Sequence, residues 1–238
     1  LILTNERKIL DYKKGFEMKI YVIGDIHGGF EFLPNILKDV HPSAFVVQVG
    51  DFGVYREYKS RWEKVVKDIK QHIFFIDGNH EEFPLFYDPD RRVPLPVWPQ
   101  LTWIPRGTVL EVNGYRIGFM GGAASVDKAL RTEGLDWWPQ EVISYGEFER
   151  MLKNEGPIDL LITHTPPQRI ISRRFRHPSM VAPSWRLSPD WIDWSAVAVE
   201  KIWDHFDNPD LICGHFHSSF KDENCRALDI NELVVWEG

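Results

Sequence analysis

Lys19-Ile20-Tyr21-Val22-Ile23-Gly24-Asp25-Ile26-His27-Gly28 decides the fold class: a run of apolar residues stops abruptly on glycine, a carboxylate and an imidazole. The run reads as a buried strand, and Phe32, Leu33, Ile36, Leu37 and Val40 follow it at helical spacing. The pattern then repeats. Ala44–Val49 is a second strand and ends on Gly50-Asp51-Phe52-Gly53. Ser60-Arg61-Trp62-Glu63 has the form of a capping box, opening a helix whose inner face is Trp62, Val65, Val66 and Ile69. Ile73–Ile76 is a third strand and runs into Gly78-Asn79-His80-Glu81. Strand, helix, strand, helix, strand predicts right-handed crossovers and parallel strands.

Further along, residues 84–107 contain Pro84, Pro89, Pro94, Pro96, Pro99 and Pro105, which exclude a regular helix. Thr108–Val112 and Tyr115–Met120 flank Asn113-Gly114, the strongest two-residue hairpin signal, and Gly121-Gly122 ends the second of these strands. Ser144-Tyr145-Gly146-Glu147 is a second capping-box pattern, ahead of Phe148, Met151 and Leu152. Ile158–Thr163 reads as a buried strand delivering His164. Residues 165–190 form a Pro- and Arg-containing insertion too long for a plain connector. Trp194–Phe206 has helical spacing, with Asp193 or Ser188 near its start. Leu211–Cys213 is a strand ending on Gly214-His215-Phe216-His217, and Arg226–Asp229 with Leu233–Trp236 is expected to close as two antiparallel strands.

The chain has 238 residues, 43% hydrophobic and 26% charged, ordinary values for a globular protein. Its formal net charge of −7 gives no overall attraction for nucleic acid or anionic membrane, so an anionic substrate must be drawn by bound cations or clustered arginines. Duplex nucleic acid is an unpromising partner; a nucleotide or single-stranded nucleic acid is easier to accommodate. No apolar stretch reaches the ~20 residues that span a bilayer. The two cysteines, Cys213 and Cys225, show no framework spacing, and a reduced, cytoplasmic setting is expected. Met18 stands immediately before the first strand. Residues 1–17 are therefore expected to be an upstream extension, with residues 18–238 a single domain.

Residues at the C-terminal ends of strands converge in an α/β fold. Five such ends carry Asp, Asn or His. In Asp25-x-His27 and His215-x-His217, residues two apart on an extended segment point to one side and can share a cation. Asp51 offers two carboxylate oxygens and can bridge two ions. Asn79 and His164 supply an amide oxygen and a ring nitrogen to the second. Any one of these residues alone is more simply a turn, a helix cap or a hydrogen-bonded histidine. The joint pattern at five strand ends is what points to a dinuclear site. With no thiolate in the set, Mn²⁺ is favoured, with Fe or Zn as alternatives.

Asp25-x-His27, Gly50-Asp51, Gly78-Asn79-His80-Glu81, His164 and Gly214-His215-x-His217, in that order, resemble the signature of the calcineurin-like metallophosphoesterases. The resemblance spans residues 18–238. It implies an α/β fold, a four-layer α-β-β-α sandwich with two mixed β-sheets. It implies that Asp25, His27 and His217 bind one ion, that Asn79, His164 and His215 bind the other, and that Asp51 bridges them. A hydroxide between the ions would attack phosphorus in line. His80 would protonate the leaving oxygen or stabilise charge there, with a carboxylate as its expected partner. Glu81 is expected to accept backbone hydrogen bonds rather than act in catalysis, since its charge would repel phosphate. The serine/threonine protein phosphatases carry Gly-Asp-x-x-Asp-Arg-Gly, whereas this chain reads Gly50-Asp51-Phe52-Gly53-Val54-Tyr55-Arg56, so that activity is not implied.

The expected function is hydrolysis of a phosphate monoester or diester. A single-strand-specific nuclease and a non-catalytic metal-binding scaffold are the alternatives, the scaffold disfavoured because every ligand and His80 are retained. Arg173 and Arg174, with Arg169 and Arg176, either hold phosphate oxygens bidentately or form a solvated basic face. Arg131 is a further candidate for the substrate. Trp137-Trp138-Pro139 either lines the cleft or belongs to the core, the core being the commoner use of tryptophan.

Overall fold

Alternate residues of the strands enter different cores, and that alternation builds the layers. The computed structural model describes residues 19–238; the expectations for Met18 and residues 1–17 lie outside them. The first sheet contains β1 (Ile20–Ile23), β2 (Phe45–Gln48), β3 (Ile73–Phe75), β4 (Leu95–Trp98) and β5 (Leu101–Trp103). The second contains β6 (Thr108–Val112), β7 (Tyr115–Met120), β8 (Leu160–Thr163), β9 (Asp210–Cys213), β10 (Phe220–Asp222) and β11 (Cys225–Ala227). The last strand, β12 (Leu233–Trp236), returns to the first sheet. The orders are β12-β1-β2-β3-β5-β4 and β10-β11-β9-β8-β7-β6. Each sheet thus has four parallel strands with one antiparallel strand on either edge.

Ile20, Val22, Phe45, Val47 and Phe74 of the first sheet meet Ile117, Phe119, Leu160, Ile162 and Ile212 of the second in one core between the sheets. The intervening residues Ile23, Val46, Ile73 and Phe75 point the other way, toward α1 (Leu33–Ile36) and α2 (Lys59–Val65). On the far side Met120, Leu161, Leu211 and Cys213 lie under α3 (Tyr145–Leu152), α4 (Gln168–Arg174) and α6 (Trp194–His205). Strands apolar on both faces are what a sheet covered on both sides requires. The result is the expected four-layer α-β-β-α sandwich.

Two local expectations are corrected. Ser60-Arg61-Trp62-Glu63 makes no capping box: the 3₁₀ turn Arg56–Tyr58 leads straight into α2, so Ser60 is already the second residue of the helix. The box at Ser144–Glu147 does form, with both reciprocal hydrogen bonds. The strands expected at Arg226–Asp229 and Leu233–Trp236 do not pair. β11 joins β9 of the second sheet while β12 joins β1 of the first. The connection between them is tied to the first motif: Asn231 N–H donates to the Asp25 carbonyl and Gly24 N–H to the Glu232 carbonyl. Inside the Pro-rich stretch lies an unforeseen hairpin, β4–β5, turning at Gln100, whose φ is 56°. The insertion after His164 holds α4 and α5 (Pro178–Val181).

Candidate metal centre

The C-terminal ends of β1, β2, β3, β8 and β9 deliver Asp25, Asp51, Asn79, His164 and His215 to one region across both sheets. Each strand must stop sharply for its side chain to turn inward. His27, Asp51, His215 and His217 have φ of 49°, 55°, 70° and 47°, a left-handed conformation uncommon for residues with a Cβ. Such outliers persist only where the surroundings over-determine them. At Gly78 a Cβ would overlap the Asp51 carboxylate, so the third motif needs glycine there.

Side chains of Asp25, His27, Asp51 and His217 place ligand atoms within 4.8 Å of one another, and so do Asp51, His164 and His215. In the first group His27 Nε2 is 2.8 Å from His217 Nε2, and His217 Nε2 is 3.1 Å from Asp25 Oδ2. His27 Nε2 stands 3.7 Å from both Asp25 Oδ2 and Asp51 Oδ2. In the second, His164 Nε2 is 3.4 Å from Asp51 Oδ2 and 3.1 Å from Asn79 Oδ1. Ligand atoms about 2.1 Å from a cation stand about 3.0 Å apart at right angles and about 3.4 Å apart at the tetrahedral angle. The observed separations fit a divalent ion in each group. Asp51 belongs to both, and its oxygens divide the work. Oδ1 accepts backbone N–H groups from Asn79 (2.8 Å) and His80 (2.7 Å), while Oδ2 faces His27 and His164.

The protonation states follow from this crowding. Burial opposes charge on Asp51, but His164, His80 and His27 outweigh it and hold the carboxyl well below its usual range. Burial would depress His164 as well; the adjacent Asp51 carboxylate overcomes that and lifts it to about 9. His215 is pushed far down, by burial first and by His164 next. His217 is raised by its hydrogen bond to Asp25.

The partner of His80 is not the expected carboxylate. Arg131 Nη1 lies 3.2 Å from its Nδ1 and Nη2 3.1 Å from its Nε2. Asp127 in turn holds Arg131, from Oδ1 to Nε at 2.8 Å and from Oδ2 to Nη2 at 3.0 Å. The carboxylate therefore reaches His80 only through a guanidinium. Burial first, and Arg131 in addition, lower the His80 pKa against the pull of Asp51. Arg131 comes from the segment after β7, so this strand end contributes to the site as well.

Arg173 and Arg174 lie elsewhere, half-exposed on α4 and paired with Asp222 and Glu223. Glu81 is fully buried and accepts N–H groups from Phe52 (2.7 Å), Gly53 (3.2 Å) and Val54 (2.6 Å), the structural role expected of it. Trp137 and Trp138 are buried, and Trp137 Nε1 donates to Glu141. Gly122, at φ 96°, allows close approach: a Cβ there would stand 2.7 Å from the Glu141 carbonyl. Ser125, Asp127 and Glu141, all supporting Asn79 or Arg131, went unrecognised in the sequence. Their loop has no apolar period, and the one signal was its start at Gly121-Gly122.

Two mixed sheets with helices outside and an Asp/His cluster at the strand ends define a metallophosphatase-type sandwich. A family model described as calcineurin-like phosphoesterase matches residues 18–219, and the chain belongs to that family. It is thereby a metal-dependent phosphoester hydrolase in general class, acting on phosphate esters through divalent ions. Among solved structures, one crystal structure aligns at a TM-score of 0.50 and 12% identity, covering 92% of this chain and 98% of its own, a likeness of fold alone. Among curated proteins no match is found. Among the described residues no helix is long and apolar enough to cross a membrane.

Proposed function

We propose that residues 18–238 form one catalytic domain that hydrolyses phosphate esters at a dinuclear centre. Asp25, His27 and His217 would hold one ion and Asn79, His164 and His215 the other, with Asp51 shared between the two groups. The observation that carries this reading is the membership of Asp51 in both ligand clusters, with Oδ2 turned to each. An all-oxygen and nitrogen donor set favours Mn²⁺ over a thiophilic ion. When bound, the ions supply Lewis acidity and an activated water, and they offset the negative charge of the chain where an anionic substrate must approach.

The remaining chemistry belongs to the protein. His80 donates a proton to the leaving oxygen, and the neighbouring guanidinium loosens its hold on that proton. Arg131, oriented by Asp127, sets a fixed positive charge beside His80 that attracts the phosphate of a substrate. That pairing favours a hydrolase over a binding scaffold, which has no use for a proton donor beside a guanidinium. Buried free thiols at Cys213 and Cys225 suit a reducing, cytoplasmic setting.

The test is turnover of 4-nitrophenyl phosphate, bis(4-nitrophenyl) phosphate and a single-stranded oligonucleotide by Mn²⁺-loaded protein. Hydrolysis of at least one is expected, and its abolition by chelation. His80→Ala should lose about 10²–10⁴-fold in kcat with metal content unchanged. A fully loaded protein inert on all three would reject the proposal in favour of a scaffold.

A further inference from the structure

Behind Asn79 lies a chain of hydrogen bonds with only one consistent direction. Glu141, 1% exposed, accepts on Oε1 from Trp137 Nε1 (2.6 Å) and from the Ser125 N–H (2.9 Å). Its Oε2 accepts from Ser125 Oγ at 2.8 Å. Burial raises the pKa of the Glu141 carboxyl, and the bonds donated by Ser125 and Trp137, with the nearby Arg131 charge, oppose that rise. As a carboxylate it has nothing to donate, so the single hydroxyl proton of Ser125 then points at Glu141. What Ser125 has left for Asn79 is a lone pair, and Asn79 Nδ2 sits 3.0 Å away to use it. An amide that donates on that side turns its oxygen to the other, where Oδ1 is 3.1 Å from His164 Nε2.

We propose that Ser125 and Glu141 are positioning residues that decide which end of the Asn79 amide faces the second ion. The oxygen and nitrogen ends of an amide are nearly the same size, so packing alone does not choose between them. Reversed, Asn79 would present N–H donors to a cation, which cannot coordinate it. In the dry interior a polarised chain of this kind holds its direction strongly. The loop is anchored independently. Arg106, fully buried, donates to the Gln140 and Glu141 carbonyls at 2.7 and 3.1 Å, and the Ala123 N–H donates to the Glu141 carbonyl at 3.0 Å. With its backbone held in this way and Oε1 held by Trp137 Nε1, Glu141 is kept from following a rotated serine.

This inference rests on the dinuclear reading above. Three variants of the full chain test it by calorimetric titration with Mn²⁺, read as separate affinities for the two ions. Glu141→Gln changes almost no volume, but its amide nitrogen faces Ser125 and donates, so the hydroxyl is released to donate toward Asn79. Ser125→Ala removes the relay, and Ser125→Thr keeps it. Glu141→Gln and Ser125→Ala should weaken one ion by about 10- to 100-fold while the ion on Asp25, His27 and His217 binds as before. Ser125→Thr should restore both. Unchanged two-ion binding in Glu141→Gln overturns the proposal, as does equal weakening of both ions, which a purely structural role predicts. A wild-type chain that binds fewer than two ions would instead sink the dinuclear reading itself, and this inference with it.

Discussion

At the residue scale, Asp51 and His164 set the terms on which a cation enters. Oδ1 of Asp51 is committed to two backbone N–H groups, which leaves Oδ2 as the oxygen both clusters share. In the metal-free protein the neighbouring carboxylate holds a proton on His164 up to a pKa of about 9, from an ordinary value of 6.5. A cation needs the neutral imidazole, so that proton competes with it. Apparent Mn²⁺ affinity should rise with pH through the window from 6.5 toward about 9, and binding at pH 7.5 should release protons. For the metal-free fold the sign is opposite: the stabilisation from His164 is complete below 6.5 and is lost as pH rises through about 9. Calorimetry in two buffers of different ionisation enthalpy measures the protons released. Heats that agree in both buffers would contradict this assignment.

At the element scale, what was readable in the sequence followed period and punctuation. Five strands end on Gly-Asp, Gly-Asn, Thr-His or Gly-His because a buried strand must stop and turn its last side chain inward. That junction shows in sequence as apolar residues followed by glycine and a ligand. The capping box of α3 was legible for the same local reason. The Glu147 N–H donates to Ser144 Oγ at 3.3 Å, and the Ser144 N–H donates back to Glu147 Oε2 at 2.8 Å. Ser144→Ala should cost about 1 kcal/mol of stability, measured as a lower urea midpoint with an unchanged slope. No change in midpoint would mean that the cap is dispensable. The box at Ser60 matched the same pattern and failed because the preceding 3₁₀ turn moved the helix start, which no local rule registers. Ser125 and Glu141 were not legible, since their role depends on Asn79, 46 residues from Ser125 and brought near only by the fold.

At the scale of the whole molecule, the site exists because the two sheets share one core. Asp25, Asp51 and Asn79 follow strands of the first sheet, and His164 and His215 follow strands of the second, so neither sheet alone carries all the candidate ligands. The separate destinations of β11 and β12 belong to this scale too. Both segments looked like partners in sequence, but the chain between them crosses from one sheet to the other, and long-range pairing of that kind has no local signature. The buried Arg106 reinforces the seam, bonding Asp77 after β3 and Glu147 of α3 together. The central claim is that Asp51 joins two ions across this seam. Electron paramagnetic resonance during Mn²⁺ titration tests it most directly. At two equivalents the wild type should give a spin-coupled dimanganese signal. Asp51→Asn should lose it, because the two backbone N–H groups demand an oxygen at Oδ1 and so place NH₂ at the shared position. Two bound ions that give only the uncoupled six-line spectrum in the wild type would contradict a bridged pair.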